Sequence, residues 1–139
     1  MTRGWKIGLT IIGVIVVIVV VCLGAIGFYV YKNTAQVKEE AVAFAQQTDQ
    51  AGCLKEVMSR QKQNDASPLG TIGNAAFLGV CLEKSKPTNG FCDAVPPSSD
   101  RDKSTKWVND QCNQAGLNPA TCAALMVMVQ QHCEGKLRK

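Results

Sequence analysis

The chain has 139 residues, 46% hydrophobic and 19% charged, with a formal net charge of +4. Beyond a membrane segment, that length leaves room for one compact domain and no more. Arg3, Lys6 and Lys32 flank a single apolar run, and the other 12 basic residues are nearly matched by 11 acidic ones; this excludes the concentrated basic face of a nucleic-acid reader.

Residues 7–31, from Ile7 to Tyr31, carry no charged side chain over 25 positions. As a helix they span ~37 Å at ~1.5 Å per residue, enough to cross a hydrocarbon core ~30 Å thick with some tilt. Trp5 at one boundary and Phe28, Tyr29 and Tyr31 at the other suit the headgroup layer, where amphipathic rings collect. The partner of this segment is therefore a lipid bilayer. Residues 1–6 form a short tail carrying Arg3 and Lys6 without an acid, which predicts a cytoplasmic N-terminus and an extracytoplasmic C-terminal domain. A cleaved signal peptide is the competing reading, with Ala25-Ile26-Gly27 as a small-x-small site leaving Phe28 first. The apolar run before it exceeds the usual ~7–15 residues, which favours an uncleaved anchor. Cys22 follows Val20-Val21, not the small residue a lipid-attachment signal needs, and reads as an apolar helix residue. Gly4-x-x-x-Gly8 offers a small-residue face for self-association.

Residues 32–139 read as a helical, cysteine-rich domain. From Thr34 to about Asn64, Val37, Ala41, Phe44, Ala45, Thr48, Ala51, Leu54, Val57 and Met58 recur near a 3.6 period, with Gly52 as a possible bend. Asn64-Asp65-Ala66 stops that helix, and Ser67 as N-cap before Pro68 starts a second, to about Lys84. Gly70, Gly73 and Gly79 weaken this helix but allow close approach to small residues of the first. Lys86–Gly90 and Pro96-Pro97 bracket an irregular connection that contains Cys92. Ser99-Asp100-Arg101-Asp102 resembles a capping box opening a third helix to about Ala115, closed by Gly116. Asn118-Pro119 opens a fourth to about Glu134, with Cys122, Leu125, Met126, Val129 and Cys133 on one face. Lys136, Arg138 and Lys139 form a basic, solvated tail. The fold expected is mainly α: one transmembrane helix, then a small disulfide-stapled domain of about four helices arranged as two antiparallel hairpins.

Of the seven cysteines, Cys53, Cys81, Cys92, Cys112, Cys122 and Cys133 lie in this domain. An even number in a small translocated domain indicates three disulfides and an oxidising compartment. Neighbouring cysteines are at least ten positions apart, without a C-x-x-C pair, which argues against zinc and thioredoxin-like sites. Residues equally distant from the turn of an antiparallel hairpin face each other. About Ser67 that places Cys53 opposite Cys81, and about Leu117 it places Cys112 opposite Cys122; Cys92 is left for Cys133. Cys122 cannot reach Cys133 along one straight helix, because eleven residues rise ~16 Å and a disulfide needs Cα atoms within ~7 Å.

No nucleophile–base pair is visible. His132 is the single histidine and reads as structural or solvent-facing; Asp93, Asp100, Asp102 and Asp110 read as capping and solvating groups. No catalytic, cofactor-binding or metal-ligating residue is assigned. The expectation is a non-enzymatic, single-pass membrane-anchored interaction or structural protein of the cell envelope, in the bacterial periplasm or at the cell surface. It has a protein partner and the irregular segment from Lys86 to Ser98 as its contact region. The absence of any N-x-S/T sequon leans the same way. Two other classes stay open: an extracytoplasmic thiol-redox or soft-metal carrier with free, low-pKa thiols, and a membrane assembly subunit forming homo-oligomers through its anchor helix.

Overall fold

A computed structural model describes residues 2–63 and 67–137, with side chains from residue 11 onward except residues 30, 136 and 137. The helix stop at Asn64–Ala66, the boundary side chains Arg3, Trp5 and Lys6, the Gly4/Gly8 face and the basic tail lie outside that description. Five helices follow one another: α1 (Thr2–Ala45), α2 (Gln50–Gln63), α3 (Pro68–Lys84), α4 (Arg101–Ala115) and α5 (Pro119–Leu137). The chain divides into two units, Met1–Ala35 and Gln36–Lys139.

The first unit is helical throughout its described length, and every described side chain from Ile11 to Tyr29 is exposed. Isoleucine and valine dominate that surface, each about half or more exposed. An apolar surface of this extent is not left in water. Length and composition suit a bilayer span.

In the second unit, the four helices that follow the end of α1 are stapled by three disulfides: Cys53–Cys81, Cys92–Cys133 and Cys112–Cys122. These are the pairs for which the two turns set equal distances, or which remain once those are made. The fold is mainly α. α2 and α3 form one antiparallel hairpin and α4 and α5 the other, while α3 packs along α5. Ala41, Ala45, Val57, Phe77, Leu78, Leu82, Leu125, Met126 and Val129 fill the core with five of the six bridged cysteines. Phe44 from α1 meets Phe77 with ring centroids 5.9 Å apart.

Three local expectations differ from what is found. The helix expected from Thr34 to Asn64 is broken at residues 46–49, not at Gly52. Asp49 caps the new start: its Oδ1 accepts from the Gly52 N–H at 2.8 Å. Gly52 lies inside α2, where a Cβ would collide with the Thr48 hydroxyl. The cap of α4 is Asp100, one residue later than the Ser99 of the capping-box pattern, with its carboxylate accepting from the Lys103 N–H at 3.2 Å. Finally, neither Gly73 nor Gly79 of α3 seats the first helix. Gly73 has open space around it, and Gly79 faces Met128 of α5. Ser67 does cap α3, and Gly116 closes α4 at φ 65°, in the left-handed region.

Candidate functional site

The irregular segment between α3 and α4 is fastened along its whole length. At its start, Lys86 pairs with the 46–49 break: its N–H donates to Thr48 O, and its carbonyl accepts from Gln50 N–H. The Gln50 side chain, buried, accepts from Thr88 N–H at 3.2 Å and bonds through Nε2 to His132 Nε2 at 2.9 Å. With Gln50 Oε1 committed to Thr88, its amide group is the donor to His132, so His132 Nε2 is the acceptor there. In the middle, successive backbone turns carry Phe91, Asp93 and Val95, and the Cys92–Cys133 bridge ties the segment to α5. At its end, Gln130 Nε2 donates to Pro96 O at 3.0 Å, and the Glu134 carboxylate accepts from Ser98 N–H at 2.6 Å.

This fixed segment lines part of a groove of about 610 Å³. One bank is α2, which presents Ala51, Leu54, Lys55, Met58, Ser59 and Lys62. Their spacing is a single helical stripe. The other bank is Trp107, Gln111 and Ala115 of α4; Phe91, Ala94 and Val95 come from the irregular segment, with Val129 of α5 between the helices. Volume and lining fall in the range of sites that take a ligand or a partner side chain.

The groove explains the split character of α2. Its core face is Gln50, Cys53, Val57 and Gln61, whereas Leu54 and Met58, in the apolar period read from the sequence, are half-buried and turn to the groove. The glutamines escaped that reading, although their 3-4-4 spacing with Cys53 and Val57 places them on one face. Gln61 is wholly buried: it donates to Thr71 Oγ1 at 3.0 Å and accepts from Asn74 Nδ2 at 2.9 Å.

Arg60 projects from the opposite edge of α2. It binds Glu40 at 2.7 Å and Glu56 at 2.8 Å, with its guanidinium 4.2 Å from the Phe77 ring centroid. Partial burial lowers its pKa, but the two carboxylates outweigh that and raise it on balance, so the group stays charged.

The six bridged cysteines are structural staples. Cys22, exposed on the apolar helix, is the free cysteine among the described residues. No group of three or more His, Cys, Asp or Glu side chains among the described residues is placed to hold a metal ion. No family model, curated protein or solved structure matches the chain.

Proposed function

We propose that the protein is a non-enzymatic, single-pass membrane-anchored interaction protein of the cell envelope, with the α2–α4 groove as its contact surface. The observation that carries this reading is the combination of an unburied apolar helix with a stapled domain holding a preformed apolar groove. The irregular segment, expected as the contact region, supplies Phe91, Ala94 and Val95 to that groove. Aromatic side chains such as Phe91 and Trp107 are typical anchors of binding surfaces.

Three disulfides favour an oxidising, extracytoplasmic compartment for the domain. Arg3 and Lys6 before the apolar run favour a cytoplasmic N-terminus, and the lack of N-x-S/T sequons favours a bacterial periplasm or surface. The apolar run is also longer than a cleavable signal needs, which supports an uncleaved anchor.

The test is site-specific photo-crosslinking in cells. A photoreactive residue replacing Met58, in the groove, is expected to give a discrete protein adduct, whereas one replacing Ile72, exposed on α3, is not. Equal adducts from both positions, or none from Met58, would remove the groove as the contact surface. External protease that leaves the domain intact in spheroplasts would reverse the topology.

A further inference from the structure

Taking the groove as the contact surface, as proposed above, we infer its occupant: a partner helix, apolar on one face, with two acidic residues seven positions apart along one edge. The reasoning starts from shape. The α2 bank from Ala51 to Lys62 rises ~16 Å, and the α4 bank from Trp107 to Ala115 ~12 Å. Each is one stripe of a helix surface, at spacings of three and four residues. Two such stripes flanking a trough suit a third helix laid along them, the helix-in-groove mode with apolar anchors at i, i+3 or i+4, and i+7.

Charge then selects among helices. Among the described residues, Lys55 and Lys62 are the charged residues lining the groove, and no acidic residue does. Both are exposed, and neither is in an ion pair among the described residues, where the pairs use Arg60, Lys84 and Lys103. Elsewhere on this helix the cation at Arg60 is matched by two acids, so the α2 bank that faces the groove is the one left positive. Seven residues separate the two lysines, ~10.5 Å along the axis or about two turns. Acids at i and i+7 of a helix lying along α2 share that rise and meet both ammonium groups together. A fatty acid or another ligand with one anionic end meets one lysine and leaves the other unmatched. Rim charges of this kind set partner choice and association rate more than raw affinity.

The experiment uses the full chain in lipid nanodiscs with Trp5→Phe, which leaves Trp107 as the tryptophan that reports from the groove. The probes are short amphipathic leucine–alanine helices bearing two glutamates seven positions apart on one edge, and the same peptides with lysines instead. The glutamate peptide is expected to shift Trp107 emission to the blue and to bind about tenfold more weakly to K55E/K62E or in high salt. The lysine peptide is expected to bind the double variant and not the parent; retained far-UV helicity and protected disulfides show that the variant is folded. Equal binding of both peptides to the parent overturns the inference. So does palmitate binding with the same lysine dependence, or concentration-dependent self-association that buries Trp107 without peptide. The crosslinking at Met58 separates the two levels: an adduct on a segment lacking the paired acids keeps the interaction function and rejects the acidic helix, whereas no adduct rejects the groove itself.

Discussion

Gln61 shows how much a single side chain in this domain holds. Its amide satisfies Thr71 and Asn74 across the α2–α3 interface, with Thr71 Oγ1 also donating to Ser67 O at 3.2 Å. Gln61→Ala strands the Asn74 amide in a buried site, at about 1–3 kcal/mol for an unsatisfied group, and leaves the Thr71 hydroxyl with its bond to Ser67 alone. Chemical denaturation of the variant should show a loss of about 2–4 kcal/mol. Replacing Gln61 and Asn74 together by leucine should cost less, because removing both partners leaves fewer stranded polar atoms.

Asp100 gives the pH counterpart. Its pKa is lowered, first by the hydrogen bond from the Lys103 ammonium and then by that from the Lys103 N–H. A carboxylate with a lowered folded-state pKa stabilises the fold above its unfolded value, and that stabilisation disappears as pH falls through the folded one. The start of α4 should therefore loosen below the usual carboxylate range, read as faster amide exchange at Lys103. Asp100→Asn, which still caps but offers Lys103 no charge, should abolish that acid sensitivity and show at neutral pH the faster exchange the parent shows only in acid. Caps of this kind were legible in the sequence because Ser67, Asn118 and Gly116 carry their chemistry locally. Gln50, Gln61 and Gln130 were not, since a buried glutamine is identified by the partners that reach it from other helices.

Among the elements, the helices of the cysteine-rich domain were readable from period and caps, and their hairpin registers placed the cysteines. The break at residues 46–49 was not, because the apolar period runs on through Phe44, Ala45, Thr48 and Ala51. What ends α1 is a tertiary event, the pairing of this stretch with Lys86. The groove was only half visible: Leu54 and Met58 were noticed as apolar, but nothing local distinguishes a groove bank from a core face. Gln50→Ala should release the irregular segment at Thr88, remove the bond to His132 of α5 and lower stability by about 1–3 kcal/mol, with exchange rising first at residues 86–91. The bridges should differ by the chain they enclose. Removing Cys92–Cys133, separation 41, should cost about 4 kcal/mol, against about 3 for Cys112–Cys122, separation 10. Paired Cys→Ser variants in a urea series would measure the gap.

At the scale of the whole molecule, the division into Met1–Ala35 and Gln36–Lys139 predicts separable behaviour. A chain from Gln36 onward should remain folded in plain buffer with three disulfides and a cooperative thermal transition, while the full chain needs detergent or lipid. Aggregation of the shorter chain, with its disulfides scrambled, would show that the domain requires the first unit.

The bridge pattern also defines which pieces remain one covalent body. Cys53–Cys81 joins α2 to α3; Cys92–Cys133 and Cys112–Cys122 join the irregular segment and α4 to α5. No bridge crosses from the first pair to the second group, so the backbone between Cys81 and Cys92 is their sole covalent link. A tryptic cut after exposed Lys84 would thus leave two halves that part on a non-reducing denaturing gel, yet stay together in native solution through the apolar seam of α3 against α5. In mechanical terms this is two welded plates glued face to face, and under load the glue yields before either weld.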